Sequence, residues 1–373
     1  MNIYSNIKNF ARKTFVNYSP PIRLSNSGSK KVLISYIKSP FYFKNRPTTH
    51  SNVIETRKIF ECFNELNFSV DVVDWQYKRK INTEKYDLIF GFGYPLYNSL
   101  KKFKGTSICY LTGSNPNFSN EMESQRINHF FNKKGFAIKP RREISWPWEI
   151  CAKKSDFLIV TGNEFSKNSY KSIREDTLSI KVPFIDSKNS SELSNNNGFL
   201  WFGGAGALFK GLDLTIDAFK ELKFNCTLDI CGPISEEDDF MNFYKKDFEI
   251  ETINFHGMID PSSVKMGNLL KKNKFVILPS CSEGGASSVL TCMNMGLVPL
   301  VTEQCCIDLN NFGYKIRDLT KSSVYEAMIK ALNTDEKNIN EQRVNIKKYL
   351  NENHSAEIYK KKLKKILQEI LNV

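Results

Sequence analysis

Residues 199–219 read FLWFGGAGALFKGLDLTIDAF. An apolar run ends in Gly203-Gly204-Ala205-Gly206, and beyond Lys210 an amphipathic stretch begins, so the order is strand, glycine turn, helix. Glycines let backbone amides approach an anion, a helix start adds partial positive charge, and a lysine adds a full one. Gly203, Gly204, Gly206 and Lys210 are therefore candidates for holding a phosphate. Phe209 stands where a dinucleotide fingerprint needs its third glycine, and the G-K-[S/T] of a P-loop is missing. The same residues also read as a tight turn followed by a solvated lysine.

Downstream, residues 278–302 read LPSCSEGGASSVLTCMNMGLVPLVT. Glu283 follows a buried apolar run, and Gly284-Gly285-Ala286-Ser287 lead into a helix rich in small residues. A carboxylate at the C-terminal edge of a parallel strand lies where open α/β sheets bind ligands, and the helix start after it suits a phosphate. A capping or surface acid is the alternative for Glu283.

Around these segments, apolar runs alternate with amphipathic stretches in two series, from KVLISYI to LSIKV and from GFLWFG to LVPLVT. That alternation predicts mostly parallel sheets covered by helices. The Ser- and Asn-rich stretch DSKNSSELSNNNG separates the series like a linker. The expected organisation is a basic leader over 1–30, domains over 31–190 and 191–350, and a terminal helix over 351–373, amphipathic through 358, 359, 363, 366, 367, 370 and 371. In the leader, Ile3, Ile7, Phe10 and Phe15 recur near helical spacing beside Lys8, Arg12 and Lys13.

A chain of 373 residues exceeds what one hydrophobic core usually serves. With 41% hydrophobic and 25% charged residues it is globular. Its nine cysteines show no C-x-x-C pair and several lie within apolar runs, so buried thiols in a cytoplasmic, reducing setting are expected. No stretch reaches the length of a membrane span. The net charge of +13 favours an anionic partner: a nucleotide diphosphate or, through the leader, the anionic inner face of the cytoplasmic membrane. Nucleic acid is not expected, because no recognition module is present.

Taken in order, the glycine turn, K-G-L-D, I-C-G-P, H-G, P-S-x-x-E-G-G and M-x-x-G-L-V-P over residues 198–302 resemble the nucleotide-binding half of retaining GT-B glycosyltransferases, particularly family four, glycosyl transferases group 1, of a bacterial type. The resemblance implies two Rossmann-like, doubly wound domains facing a central cleft, with a C-terminal helix crossing back. It further implies sugar transfer from a UDP- or GDP-linked donor to a glycan or lipid-linked acceptor in surface-polysaccharide or glycoconjugate synthesis, with retention, without a metal and without a cofactor. Lys210 would meet the diphosphate and Glu283 the sugar hydroxyls, with the amides of Gly284, Gly285, Ala286 and Ser287 on the phosphates. A sugar-nucleotide epimerase of the same fold and a noncatalytic binding relative are the competing readings.

Two features depart from that family's pattern. Thr291 occupies the place of a second glutamate that commonly binds the ribose, and the turn lacks its usual arginine, with Ala205 or Gly206 there instead. In the N-terminal half the similarity is looser, through Thr112-Gly113, Arg126 and Asn163, all cleft or acceptor candidates. No histidine stands near Thr112; His50, in a loop after the first strand, is the candidate to reach the cleft. Arg126, Arg141 and Arg142, with nearby aromatics, read either as an acceptor-binding cluster or as a solvated basic face.

Overall fold

The computed structural model describes residues 14, 18–42, 50–187, 189 and 197–372. The first sheet contains β1 (Ile22–Arg23), β2 (Lys30–Tyr36), β3 (Phe68–Asp74), β4 (Leu88–Gly91), β5 (Thr106–Leu111), β6 (Phe157–Thr161) and β7 (Leu178–Ile180), in the spatial order β1-β3-β2-β4-β5-β6-β7. The second contains β8 (Gly198–Phe202), β9 (Leu228–Cys231), β10 (Ile253–Gly257), β11 (Asn273–Leu278), β12 (Val298–Thr302) and β13 (Tyr314–Ile316), in the order β10-β9-β8-β11-β12-β13. All neighbours run parallel except β1, which is antiparallel to β3. Among the parallel strands of each sheet the order reverses once, between β2 and β4 and between β8 and β11, which is the doubly wound pattern.

Parallel strands need both faces covered, and β3 is accordingly buried along its whole length. Its Asp71 survives there because Lys31 pairs with it at 3.0 Å and the Tyr86 hydroxyl donates to it at 2.8 Å. Along β2 the pleat splits the core: Val32, Ile34 and Tyr36 face one hydrophobic cluster and Leu33 faces the other.

The helices used below are α1 (Ser51–Glu65), α2 (Pro116–Lys134), α3 (Leu212–Phe219), α4 (Ser287–Asn294), α5 (Glu336–Asn353) and α6 (Ala356–Leu371). From α6, Tyr359, Leu363 and Leu367 enter the first domain's core beside Ile59, Cys62 and Phe63 of α1. The terminal helix thus crosses back. It begins at Ala356, five residues later than the sequence suggests, because α5 continues to Asn353 and the chain turns at His354. A second correction is β1, which lies ahead of Lys31; a two-residue strand has no period to read.

An exchange runs in the other direction too. Helix α2 follows β5 of the first domain, yet Phe130 belongs to the second domain's core, packed on Phe243 and Tyr244. All nine cysteines are free and buried. Among the described residues no helix is long and apolar enough to cross a membrane. The leader residues Ile3, Ile7, Phe10 and Phe15, and most of the Ser- and Asn-rich linker, lie outside the described residues.

Candidate functional site: a cleft between the two domains

A cleft of about 570 Å³ opens where the C-terminal ends of both sets of strands face each other. Gly203 follows β8, Gly232 follows β9, Met258 follows β10, Thr112 follows β5, and Thr161 closes β6. This is the edge at which open α/β sheets bind ligands.

At its centre Lys210 and Glu283 form an ion pair, with only 8% and 14% of their side chains exposed. Ser280 donates to the same carboxylate oxygen at 2.8 Å. Burial alone would raise the Glu283 pKa, but Lys210, then Arg142 and Ser280, outweigh it and hold the carboxyl below its usual value. Backbone bonds fix both residues: the Lys210 carbonyl accepts from Trp201 Nε1 at 3.3 Å, and the Glu283 carbonyl accepts from the amide and hydroxyl of Ser114 at 3.2 and 3.1 Å. Lys210 keeps further N–H donors beyond the one spent on Glu283, since an ammonium carries three.

The cleft brings together Lys210, Glu283, Gly203, Gly204, Gly284, Gly285, Ala286 and Ser287 from the second domain with His50 and Thr112 from the first. His50 caps α1, its Nδ1 accepting from the Asn52 amide at 3.3 Å. Loss of water around the ring, then the charges of Arg142 and Lys210, lower its pKa, and Glu283 opposes them. Gly284 is needed for a further reason: a Cβ there would stand 2.5 Å from Gly113 Cα and 2.6 Å from Thr161 Oγ1, so only glycine lets the two domains meet at this point.

Other candidates sit elsewhere. The Gly206 amide donates to the buried carboxylate of Glu237 at 2.6 Å, and the Ala207 amide does so at 3.0 Å, so this part of the turn is already occupied by an internal anion. The Ala286 amide is likewise engaged, with the Cys305 carbonyl at 3.0 Å. Thr291 is fully buried and does not line the cleft; its hydroxyl donates to the Ser287 carbonyl at 2.8 Å and accepts from the Ile185 amide at 3.1 Å, so it is turned to the protein interior and not to a ribose. Arg126 is also buried, gripping both oxygens of Asp213 at 2.6 and 2.7 Å across the domain boundary, and so is not an acceptor-binding residue. Gly113 lies buried in the domain contact, its carbonyl accepting from Tyr170 at 3.1 Å. Asn163 donates to Asp308 at 2.6 Å beside a second cavity of about 460 Å³.

Sequence reasoning missed Glu55 and did not separate Arg142 from its neighbours; both line the cleft. Glu55 accepts from Tyr110 at 2.8 Å and Tyr36 at 3.1 Å; burial raises its pKa and these bonds oppose the rise. In α1 it looks like any solvated helix acid, and no local signal marks it. Arg141 is drawn aside by Asp239 at 2.7 Å, whereas Arg142 turns into the cleft.

Residues 183–349 match the family model described as Glycosyl transferases group 1. That span is the second domain and its flanks, and it contains Lys210 and Glu283. No curated protein matches the sequence. Among solved structures, a glycosyltransferase from Rickettsia africae aligns with a TM-score of 0.61 at 12% identity, over 92% of this chain and 99% of its own. A sucrose-phosphate synthase from Thermosynechococcus elongatus aligns with a TM-score of 0.65 at 12% identity, over 91% and 98%. The Anabaena protein HepE, solved with UDP and glucose, aligns with a TM-score of 0.60 at 11% identity, over 91% and 100%. At such identities the likeness shows the fold, which is GT-B.

Proposed function

We propose that the protein is a glycosyltransferase that moves a sugar from a nucleoside-diphosphate donor to a glycan or lipid-linked acceptor, with retention at the anomeric carbon. The observation that carries this reading is the Lys210–Glu283 pair, set in the cleft at the strand switch within the segment that matches the glycosyltransferase family model. In the reaction the bond between the anomeric carbon and the phosphate oxygen breaks, and the electron pair leaves with the diphosphate. The acceptor oxygen bonds to the same carbon, and its proton passes to the departing phosphate. The main electrostatic task is to stabilise the charge that grows on the diphosphate. Lys210 serves that charge, with no metal assigned to the step, while Glu283 holds sugar hydroxyls so that the anomeric centre faces the acceptor.

The donor is identified by thermal shift with UDP-, GDP-, ADP- and CMP-sugars. A ligand at ~100 times its Kd raises stability by ~2.7 kcal/mol, so at least one uridine or guanosine donor should raise Tm visibly. A flat response across the whole panel would overturn the donor site.

A further inference from the structure

The loop after α2 carries an arginine into the wall of the opposite domain. Its backbone is pinned from both sides: Glu123 of α2 accepts from the amides of Arg141 at 2.7 Å and Arg142 at 2.9 Å, and Asp239 of the second domain takes the Lys139 amide at 2.8 Å. Between these anchors the Arg142 side chain crosses the domain boundary. Its guanidinium lies 5.8 Å over the Phe209 ring, and its methylenes fill the space beside Gly206, where a Cβ would stand 2.8 Å from Arg142 Cγ.

The three arginines of this region have different fates. Arg126 is consumed by Asp213 and Arg141 by Asp239. Among the described residues Arg142 has no ion-pair partner, and it lines the cleft next to Gly203, Gly204, Ala205 and Lys210. The second domain's own positive charge at this point is already matched, because Lys210 is paired with Glu283, and Glu55 adds a further buried carboxyl to the lining. The glycine turn has no cation of its own, and Glu237 occupies its Gly206 and Ala207 amides. A diphosphate carries more negative charge than this wall can answer alone.

We infer that Arg142, delivered by the first domain, is the second cation that holds the donor's diphosphate, so that the anion site is complete only when the two domains meet. The inference rests on the donor-site reading above. A planar guanidinium with several N–H donors suits phosphate oxygens, and the contacts with Phe209 and Gly206 position the side chain in advance.

The test is calorimetry with UDP, GDP and ADP beside their monophosphates, on wild type and Arg142→Gln, which keeps the Cβ and Cγ methylenes beside Gly206 but removes the charge. For the diphosphate that wild type binds, affinity should fall at least about tenfold in the variant, and the preference for diphosphate over monophosphate should shrink with it. Arg142→Lys should retain part of both. Equal diphosphate affinity in Arg142→Gln, or equal losses for diphosphate and monophosphate, would overturn the role of Arg142 while leaving the donor site standing. Failure of wild type to bind any of the three diphosphates would overturn the donor site itself, and this inference with it.

Discussion

The second domain's wall of the cleft is made from short segments that each continue a strand, chiefly 202–210 and 283–288 with Gly232, Pro233, Met258 and Ile259, whereas the first domain's wall is collected from His50, Ser51, Asn52, Glu55, Thr112, Arg142 and Thr161. The difference lies in what holds each wall in place. In the second domain, strand, turn and helix start are set by neighbours in sequence. Thr112 and Thr161 also sit at strand ends, but the first domain's wall meets the second only through long-range contacts: α2 packing Phe130 into the other core, Ser119 meeting Ser282 at 2.6 Å, and Ser114 clasping the Glu283 carbonyl. One wall is local, and the other depends on the docking of two domains.

Breaking the docking should therefore cost more than trimming the cleft surface. The largest effect on stability is expected from Arg126→Ala, which leaves the Asp213 carboxyl buried without its partner; only 4% and 6% of the two side chains are exposed. Removing one partner of a buried pair costs roughly 3–5 kcal/mol, measurable by urea denaturation. The apolar double variant Arg126→Met with Asp213→Leu should recover most of that loss. A cost below about 1 kcal/mol for Arg126→Ala, within the range of exposed pairs, would show that the docking does not depend on this pair.

A smaller effect is expected from pH at the point where the chain returns to the first domain. His354 is fully buried; its Nδ1 meets the Val182 carbonyl at 2.7 Å, its Nε2 meets the Tyr349 hydroxyl at 3.0 Å, and its own carbonyl accepts from the Phe184 amide at 3.0 Å. Burial lowers its pKa to about 4, with the Val182 carbonyl opposing. The unfolded chain, with an ordinary histidine, binds this proton through the window from about 6.5 down to about 4, and the folded chain does not. Stability should therefore fall as pH drops through that window, by roughly 3 kcal/mol at its lower end. His354→Gln should flatten this part of the curve; an unchanged slope in the variant would assign it to other groups.

The contrast also explains what was legible in the sequence. The two alternating series gave both sheets, and the amphipathic tail gave the crossing helix, because parallel strands and a one-sided helix leave a period in the chain. Lys210 and Glu283 stood out because the glycines beside them mark turns at strand ends. Thr291 misled: its position in a helix behind Glu283 says nothing about which way the hydroxyl bonds, and the Ile185 amide of the interdomain segment claims it. Arg126 and Arg142 are alike in sequence, and only the opposite domain separates them, by offering Asp213 to one and Phe209 to the other. Glu55 left no trace either, since its partners Tyr36 and Tyr110 come from two other elements of its own domain, β2 and β5.

In the proposed function the Lys210–Glu283 pair is the donor clamp, with the lysine on the diphosphate and the glutamate on the sugar. Glu283→Gln separates the two roles. With the donor identified by the thermal-shift panel, turnover per folded molecule should fall at least about a hundredfold, because even a small misplacement of the anomeric centre undoes its alignment with the acceptor. Affinity for the free nucleoside diphosphate should be unchanged or tighter, since Lys210 is released from its competing carboxylate. Near-normal turnover in Glu283→Gln, or loss of diphosphate binding together with turnover, would show that Glu283 does not hold the sugar in this way.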